Sequence, residues 1–391
     1  MPEKRILYVA DKWWFGEKNN GLSEWESNLL TSLEGTKLAK TDVFHFDEYY
    51  RINKKKGDPA LFEKIELFKP HLIATVIYRE PGTATNVPEL QTFEKIKNEL
   101  NIPIVAIWGD IEASAQAKIS ISLIPFVSLH VATASEASVR RINRPDKYLY
   151  MWVPKDPVIF NDPKKTRDID IGYFGSPKKE RIRKVQHLKE HGIVVTTGGG
   201  ERQEHLTAKD YADRYQRSKI TLSFSREAYS HVINARPFEA MACGSMILEQ
   251  ENFETPKLFV PFVDYVPYTT NKDLAKKIKY YLTHDKERQI IAENGKRKVL
   301  ERYSAFQFWD TVIKRALGDD RGNFPEISLK NSDLSLLPRR RACVLHFLNA
   351  LCSNNFGFKV YILAVNRTNW KFLRYLFFKT LRGMAGRLKR Q

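Results

Sequence analysis

The chain has 391 residues, 42% hydrophobic and 28% charged, enough for two domains of ordinary size with sizeable cores. Its net charge of +18 is unevenly placed: Leu334 to Gln391 holds twelve Lys or Arg and no Asp or Glu, leaving +6 for everything before it. That location favours an anionic membrane surface over nucleic acid as the basic segment's partner. The three cysteines, Cys243, Cys343 and Cys352, lack metal-ligand spacing, which excludes a disulfide framework or zinc site and suits a reducing compartment. No signal-peptide pattern and no apolar run approaching roughly 18 residues is seen, so neither export nor a membrane span is expected.

In chain order, Ile6–Ala10 is a short apolar run of the buried parallel-strand type, followed by a loop containing Trp13, Trp14, Phe15, Gly16 and Gly21. Ser23-Glu24-Trp25-Glu26 has capping-box spacing, and Leu22, Trp25, Leu29, Leu30 and Leu33 recur at helical intervals. Further strands are expected at Val43–Phe46, Leu72–Ile77, Ile104–Trp108 and Leu129–Ala132, with helix-length segments between them. This alternation predicts a parallel sheet with right-handed crossovers, whose ligands bind beyond the C-terminal ends of the strands.

Pro154 to Arg167, with three prolines, reads as a linker. A second series follows: strand Ile171–Phe174, helix Lys178–His191, strand Ile193–Thr197, helix Thr207–Ser218, strand Ile220–Phe224, helix Pro237–Cys243 and strand Met246–Leu248. Helical patterns then fill Asp273–Leu282, Lys286–Arg302 and Phe306–Leu317. The expected units are residues 1–153 and 154–318, each α/β and Rossmann-like, and a basic tail, 319–391.

The most informative stretch is Arg236-Pro237-Phe238-Glu239-Ala240-Met241-Ala242-Cys243-Gly244. It resembles the glycosyltransferase group 1 signature, and more closely its CgeB-type branch. The resemblance runs from about Asp170 to Asp310 and includes Tyr173-Phe174-Gly175-Ser176, Ser223-Phe224-Ser225 and His284-Asp285-Lys286-Glu287-Arg288. It implies the GT-B plan, two Rossmann-like domains facing across a cleft, and an enzyme moving sugar from a nucleotide-sugar donor, UDP- or GDP-linked, without an essential metal or other cofactor. The acceptor it implies is a hydroxyl of a glycan or lipid-linked glycan.

The residues themselves agree. Pro237 suits a first helical turn, and Glu239 in that turn can accept two hydrogen bonds from a ribose diol, or simply complement the helix dipole. Arg236 can meet diphosphate oxygens. Gly175, Ser176 and Arg181 lie where strand passes to helix, a cradle for phosphate or else a solvated basic face together with Lys178 and Lys179. Arg226 and Asn234 lie in the segment leading to Glu239 and are candidate lining residues. Gly198-Gly199-Gly200 admits either a ligand or a flexible turn.

Eight positions before Glu239 the group carries an acidic residue associated with the donor sugar and with retention; here it is His231, able to hydrogen-bond or shuttle a proton. Retention is therefore not carried over. On the acceptor side Asp110, ahead of Glu112, is the candidate base at the end of a strand, with a helix cap as its other reading. Asp168-Ile169-Asp170 has metal-binding spacing, but starts a strand directly after the linker. A nicotinamide-dependent dehydrogenase is disfavoured because no Gly-x-Gly-x-x-Gly follows the first strand.

In the tail, Trp370, Leu373, Phe377, Leu381, Met384 and Leu388 fall on one helical face and Lys371, Arg374, Lys379, Arg382, Lys389 and Arg390 on the other. That pattern is expected of a helix in an anionic bilayer interface, with a helix packed on the body as the rival. The chain is thus expected to be cytoplasmic and peripherally attached to a membrane. A nucleotide- or glycan-binding protein without turnover remains the second reading of the whole.

Overall fold

The computed structural model describes residues 3–76, 86–108, 126–133, 148–199, 206–224, 226–227, 230–231, 235–252 and 255–318. The basic tail, Asp110, Glu112 and Asn234 lie outside them.

Six strands, Arg5–Ala10 (β1), Lys40–His45 (β2), Leu72–Thr75 (β3), Ile104–Trp108 (β4), Leu129–Ala132 (β5) and Tyr148–Tyr150 (β6), form a parallel sheet in the order β2-β1-β3-β4-β5-β6. They read as continuous apolar runs because both faces are covered: Ile6, Tyr8 and Ala10 enter one core and Leu7 and Val9 the other. The first helix begins as a π-helical segment, Trp25–Leu30, and continues as Thr31–Thr36 (α1). Half of the expected capping box forms. Ser23 Oγ accepts the Glu26 amide at 3.1 Å, while the Glu26 carboxylate turns outward to His45 Nε2 at 2.7 Å. Phe46–Asn53 (α2), Asp58–Phe68 (α3) and Leu90–Glu99 (α4) complete the described α-helices of this half.

The second series comprises Ile169–Phe174 (β7), Lys179–Glu190 (α5), Thr196–Gly198 (β8), Ala208–Arg217 (α6), Ser218–Ser223 (β9), the short pair Arg226–Glu227 (β10) and Ser230–His231 (β11), Arg236–Ala242 (α7), Met246–Gln250 (β12), Thr255–Leu258 (α8), Val266–Tyr268 (β13), Asn271–Thr283 (α9), Asp285–Arg302 (α10) and Ala305–Leu317 (α11). Strands β13-β12-β9-β7-β8 form the second parallel sheet. Strand β8 starts three residues later than expected. The amides of Gly192 and Ile193 bond back to Lys189 and Leu188 carbonyls (3.0 Å each), a Schellman end that consumes Ile193. Val194 is left 80% exposed, so the apolar triplet there is not a buried strand.

Residues 151–168 join the sheets without strand or helix and are held by ion pairs. Asp162 meets Lys164 (2.9 Å), Lys296 of α10 (3.1 Å) and Arg167 (3.4 Å). Helix α11 follows the second sheet in the chain yet packs against α1, β3, β4 and β5 of the first. There the buried Trp309 Nε1 donates to Ser32 Oγ at 2.9 Å. Among the described residues no helix is long and apolar enough to cross a membrane.

Candidate functional site

The second sheet's C-terminal edge gathers several of the expected residues. Strand β7 ends at Phe174, and the chain turns at Gly175, whose φ of +147° disfavours any side chain. The turn is built around Arg236, the first residue of α7. Its Nε donates to Phe174 O at 2.9 Å, its guanidinium lies 5.1 Å over the Tyr173 ring, and a Cβ on Gly175 would stand 2.4 Å from its Nη2. Only 9% of Arg236 is exposed, and Nη1 finds no acceptor among the described residues. A buried cation with a free N–H beneath a glycine turn suits an incoming anionic oxygen. Ser176 contributes its carbonyl to the same turn, accepting from Tyr173 Oη (3.1 Å) and Arg181 Nη1 (3.3 Å). Arg181, in the first turn of α5, therefore borders the cradle from the solvent side.

Glu239 lies one helical turn after Arg236. Its Oε1 pairs with Lys155 Nζ at 2.6 Å, and its Oε2 accepts from Tyr215 Oη at 3.1 Å. Burial, and then the Glu239 carboxylate, hold the Tyr215 hydroxyl well above its ordinary pKa, so it remains a donor. Neither partner was legible in the sequence: Lys155 sits in the linker and Tyr215 is simply an aromatic on α6. The Gly198–Gly199 turn is next to this cluster, the Gly175 amide donating to Gly198 O at 2.8 Å. A Cβ on Gly198 would fall 2.4 Å from Arg214 Nη1 and one on Gly199 2.2 Å from Tyr211 Oη. The space these glycines open is thus taken by side chains of α6.

Other candidates are elsewhere. Arg226 and His231 face each other in register across the β10–β11 pair, their side chains lying outside the described residues. Asp168 and Asp170 stand at the N-terminal edge of the second sheet, opposite the site. Asp168 is paired with Arg217, which lowers its pKa, and Asp170 with Lys219 at 2.6 Å. Cys243 is buried, which pushes its thiol far up and leaves it inert. An acidic residue that sequence reasoning passed over, Asp11, directly follows β1 at the first sheet's C-terminal edge, where Asp47 accepts the next two amides, Lys12 and Trp13, at 2.9 Å each.

Residues 174–314 match the protein family described as glycosyl transferase-like. No curated protein matches the chain in sequence. Among solved structures, Anabaena HepE in complex with UDP is similar at 11% identity and a TM-score of 0.51, over 79% of this chain and 98% of that one. A glycosyltransferase from Rickettsia africae gives 11% and 0.54, covering 82% and 100%. The DNA-modifying β-glucosyltransferase, studied with and without its substrate uridine diphosphoglucose, gives 12% and 0.52, covering 80% and 99%. At these identities the likeness is one of fold, and the fold is GT-B.

Proposed function

We propose that this chain transfers a sugar from a UDP-linked donor to a hydroxyl of a glycan or lipid-linked glycan. The carrying observation is the joining of Gly175, Arg236 and Glu239 at the C-terminal edge of β7, on the half that matches a glycosyl transferase-like family. HepE is similar in fold and was solved with UDP, which favours uridine as the base. In this reading Glu239 takes the ribose diol, displacing or sharing Lys155. Arg236, Ser176, Gly175 and Arg181 take the diphosphate, whose charge grows as the glycosidic bond breaks. Those cations make a metal unnecessary, so chelator should leave turnover intact. Arg226, Asn234 and His231 are the further candidates for contact with the donor. The Arg236–Gly244 stretch favours the CgeB-type branch, and the basic tail holds the enzyme on an anionic membrane where a lipid-linked acceptor is found.

The deciding experiment is calorimetry with UDP. Wild type should bind, and Glu239→Ala should lose about 1.5–3 kcal/mol, roughly ten- to a hundredfold in affinity. Undiminished binding by a folded variant refutes the site. Release of UDP from UDP-glucose separates the transferase from a binding protein without turnover, the reading that His231 in place of an acidic residue keeps alive.

A further inference from the structure

The order of the first sheet, β2-β1-β3-β4-β5-β6, reverses between β1 and β3. Crossovers leave these two strands in opposite directions, so a crevice opens at their C-terminal ends, and sheets of this kind bind ligands there. Asp11 is the first residue beyond β1 and therefore stands at that crevice. Its main chain is fixed: its carbonyl accepts Ser23 Oγ at 2.8 Å, and Val9, two residues back, accepts Thr75 Oγ1 of β3 at 2.9 Å.

Its carboxyl group is treated differently. Just 7% of the residue is exposed, and Oδ1 meets no donor among the described residues. The two amides that might have satisfied it, those of Lys12 and Trp13, go to Asp47 instead. His45, the nearby imidazole, is tied to Glu26 at 2.7 Å. Its own amide is the donor that reaches the carboxyl, and leaving the buried Oδ1 unsatisfied is a cost that a merely structural aspartate does not need to incur. The groups facing it are Glu26 from the π-helical segment, His45 at the end of β2 and Asp47 at the start of α2. Burial first, then Asp47 and Glu26, raise this carboxyl to about 7, with its own amide and His45 acting against them. A base is most effective when its pKa lies near the working pH.

We propose that Asp11 is the base of the transfer reaction, taking the proton from the acceptor hydroxyl at the β1–β3 crevice. The proposal rests on the transferase reading above. The acceptor O–H bond breaks and its proton passes to Asp11. The acceptor oxygen bonds to the anomeric carbon, and the sugar–phosphate C–O bond breaks, its electron pair leaving with UDP. Water in place of the acceptor follows the same course and gives hydrolysis.

The test uses the full chain, UDP-glucose and water, reading UDP release against pH. Wild type should show a rate that rises through an inflection near pH 7. Asp11→Asn should release UDP at least a hundredfold more slowly, with UDP affinity by calorimetry within twofold of wild type. Asp11→Glu should recover part of the rate. Unchanged release by Asp11→Asn overturns the proposal, as does a loss seen only in Asp110→Asn. Should Asp11→Asn fail to fold, the wild-type profile decides, and no inflection between pH 6 and 8 overturns it. A wild type that does not bind UDP overturns the transferase reading and this step with it. A wild type that binds and turns over, indifferent to Asp11, overturns this step alone.

Discussion

Lys155, in the segment joining the two sheets, and Glu239, on α7 of the second, meet at 2.6 Å with both side chains largely buried. The proposed donor site is therefore linked to the stretch of chain between the sheets. Lys155 also lies 5.6 Å over the Phe160 ring, so the linker carries its own support for the ammonium. Removing either partner strands a buried charge, whereas replacing both does not. Lys155→Met and Glu239→Gln should each destabilise the protein by about 1–3 kcal/mol, and the double variant by less than their sum. Urea denaturation of the four proteins checks this, and strict additivity would show that the pair contributes nothing.

Gly175 and Gly192 both have positive φ, at +147° and +74°, but only Gly175 is crowded. An alanine there meets Arg236 Nη2 at 2.4 Å, whereas at Gly192 nothing lies within 4 Å. Gly192→Ala should cost about 1–2 kcal/mol of backbone strain and leave UDP binding alone. Gly175→Ala should cost at least as much and also displace Arg236, weakening UDP about tenfold or more. Thermal melts paired with UDP titrations distinguish the two; equal UDP affinity in both variants counts against the cradle.

The Asp11 carboxyl, raised to about 7 from 3.8, has a consequence for stability independent of catalysis. Between those values the folded protein binds more protons than the unfolded chain, so stability falls as pH rises through the window. At full ionisation the penalty reaches up to about 4 kcal/mol. Asp11→Asn carries no such penalty. The variant should gain on wild type as pH goes from 4 to 8 in denaturant melts, and parallel curves would mean that Asp11 titrates normally.

Shortening the chain to residues 1–318 keeps Gly318, the left-handed cap of α11, and removes the basic tail. The shortened protein should fold and bind UDP but no longer float with anionic vesicles. Full-length protein should bind such vesicles less, though still measurably, as salt rises, because screening spares the apolar face. Equal flotation of both proteins would place the membrane contact elsewhere or nowhere.

Sequence patterns revealed the strands best where burial on both faces demands unbroken apolar runs, as in Ile104–Trp108 and Leu129–Ala132. They missed Tyr148–Tyr150 and Val266–Tyr268, three residues each, too short for any period to register. Of the candidate site, the Arg-Pro-Phe-Glu stretch and the glycine turn were legible because each is local. Their relation was not, since Arg236 meets Phe174 across 62 residues and Lys155 is an unremarkable linker lysine. Asp11 was overlooked for the opposite reason: one aspartate after a strand has no pattern, and its isolation is visible only once Asp47 is seen taking the neighbouring amides.

Helix α11 gives the molecule an order of assembly. Trp309 and Ser32 are separated by 277 residues, and the helix carrying Trp309 covers part of a sheet whose strands emerge from the ribosome much earlier. The first half cannot finish its core when its own sequence is complete. It waits, with an apolar face open, until the whole second half has been made and α11 returns. Such non-local closure slows folding and lengthens the interval in which that face is open to aggregation. Residues 1–153 made alone should therefore be poorly soluble and should gain order when α11 is supplied in trans, a dependence that cutting the gene at the linker would expose at once.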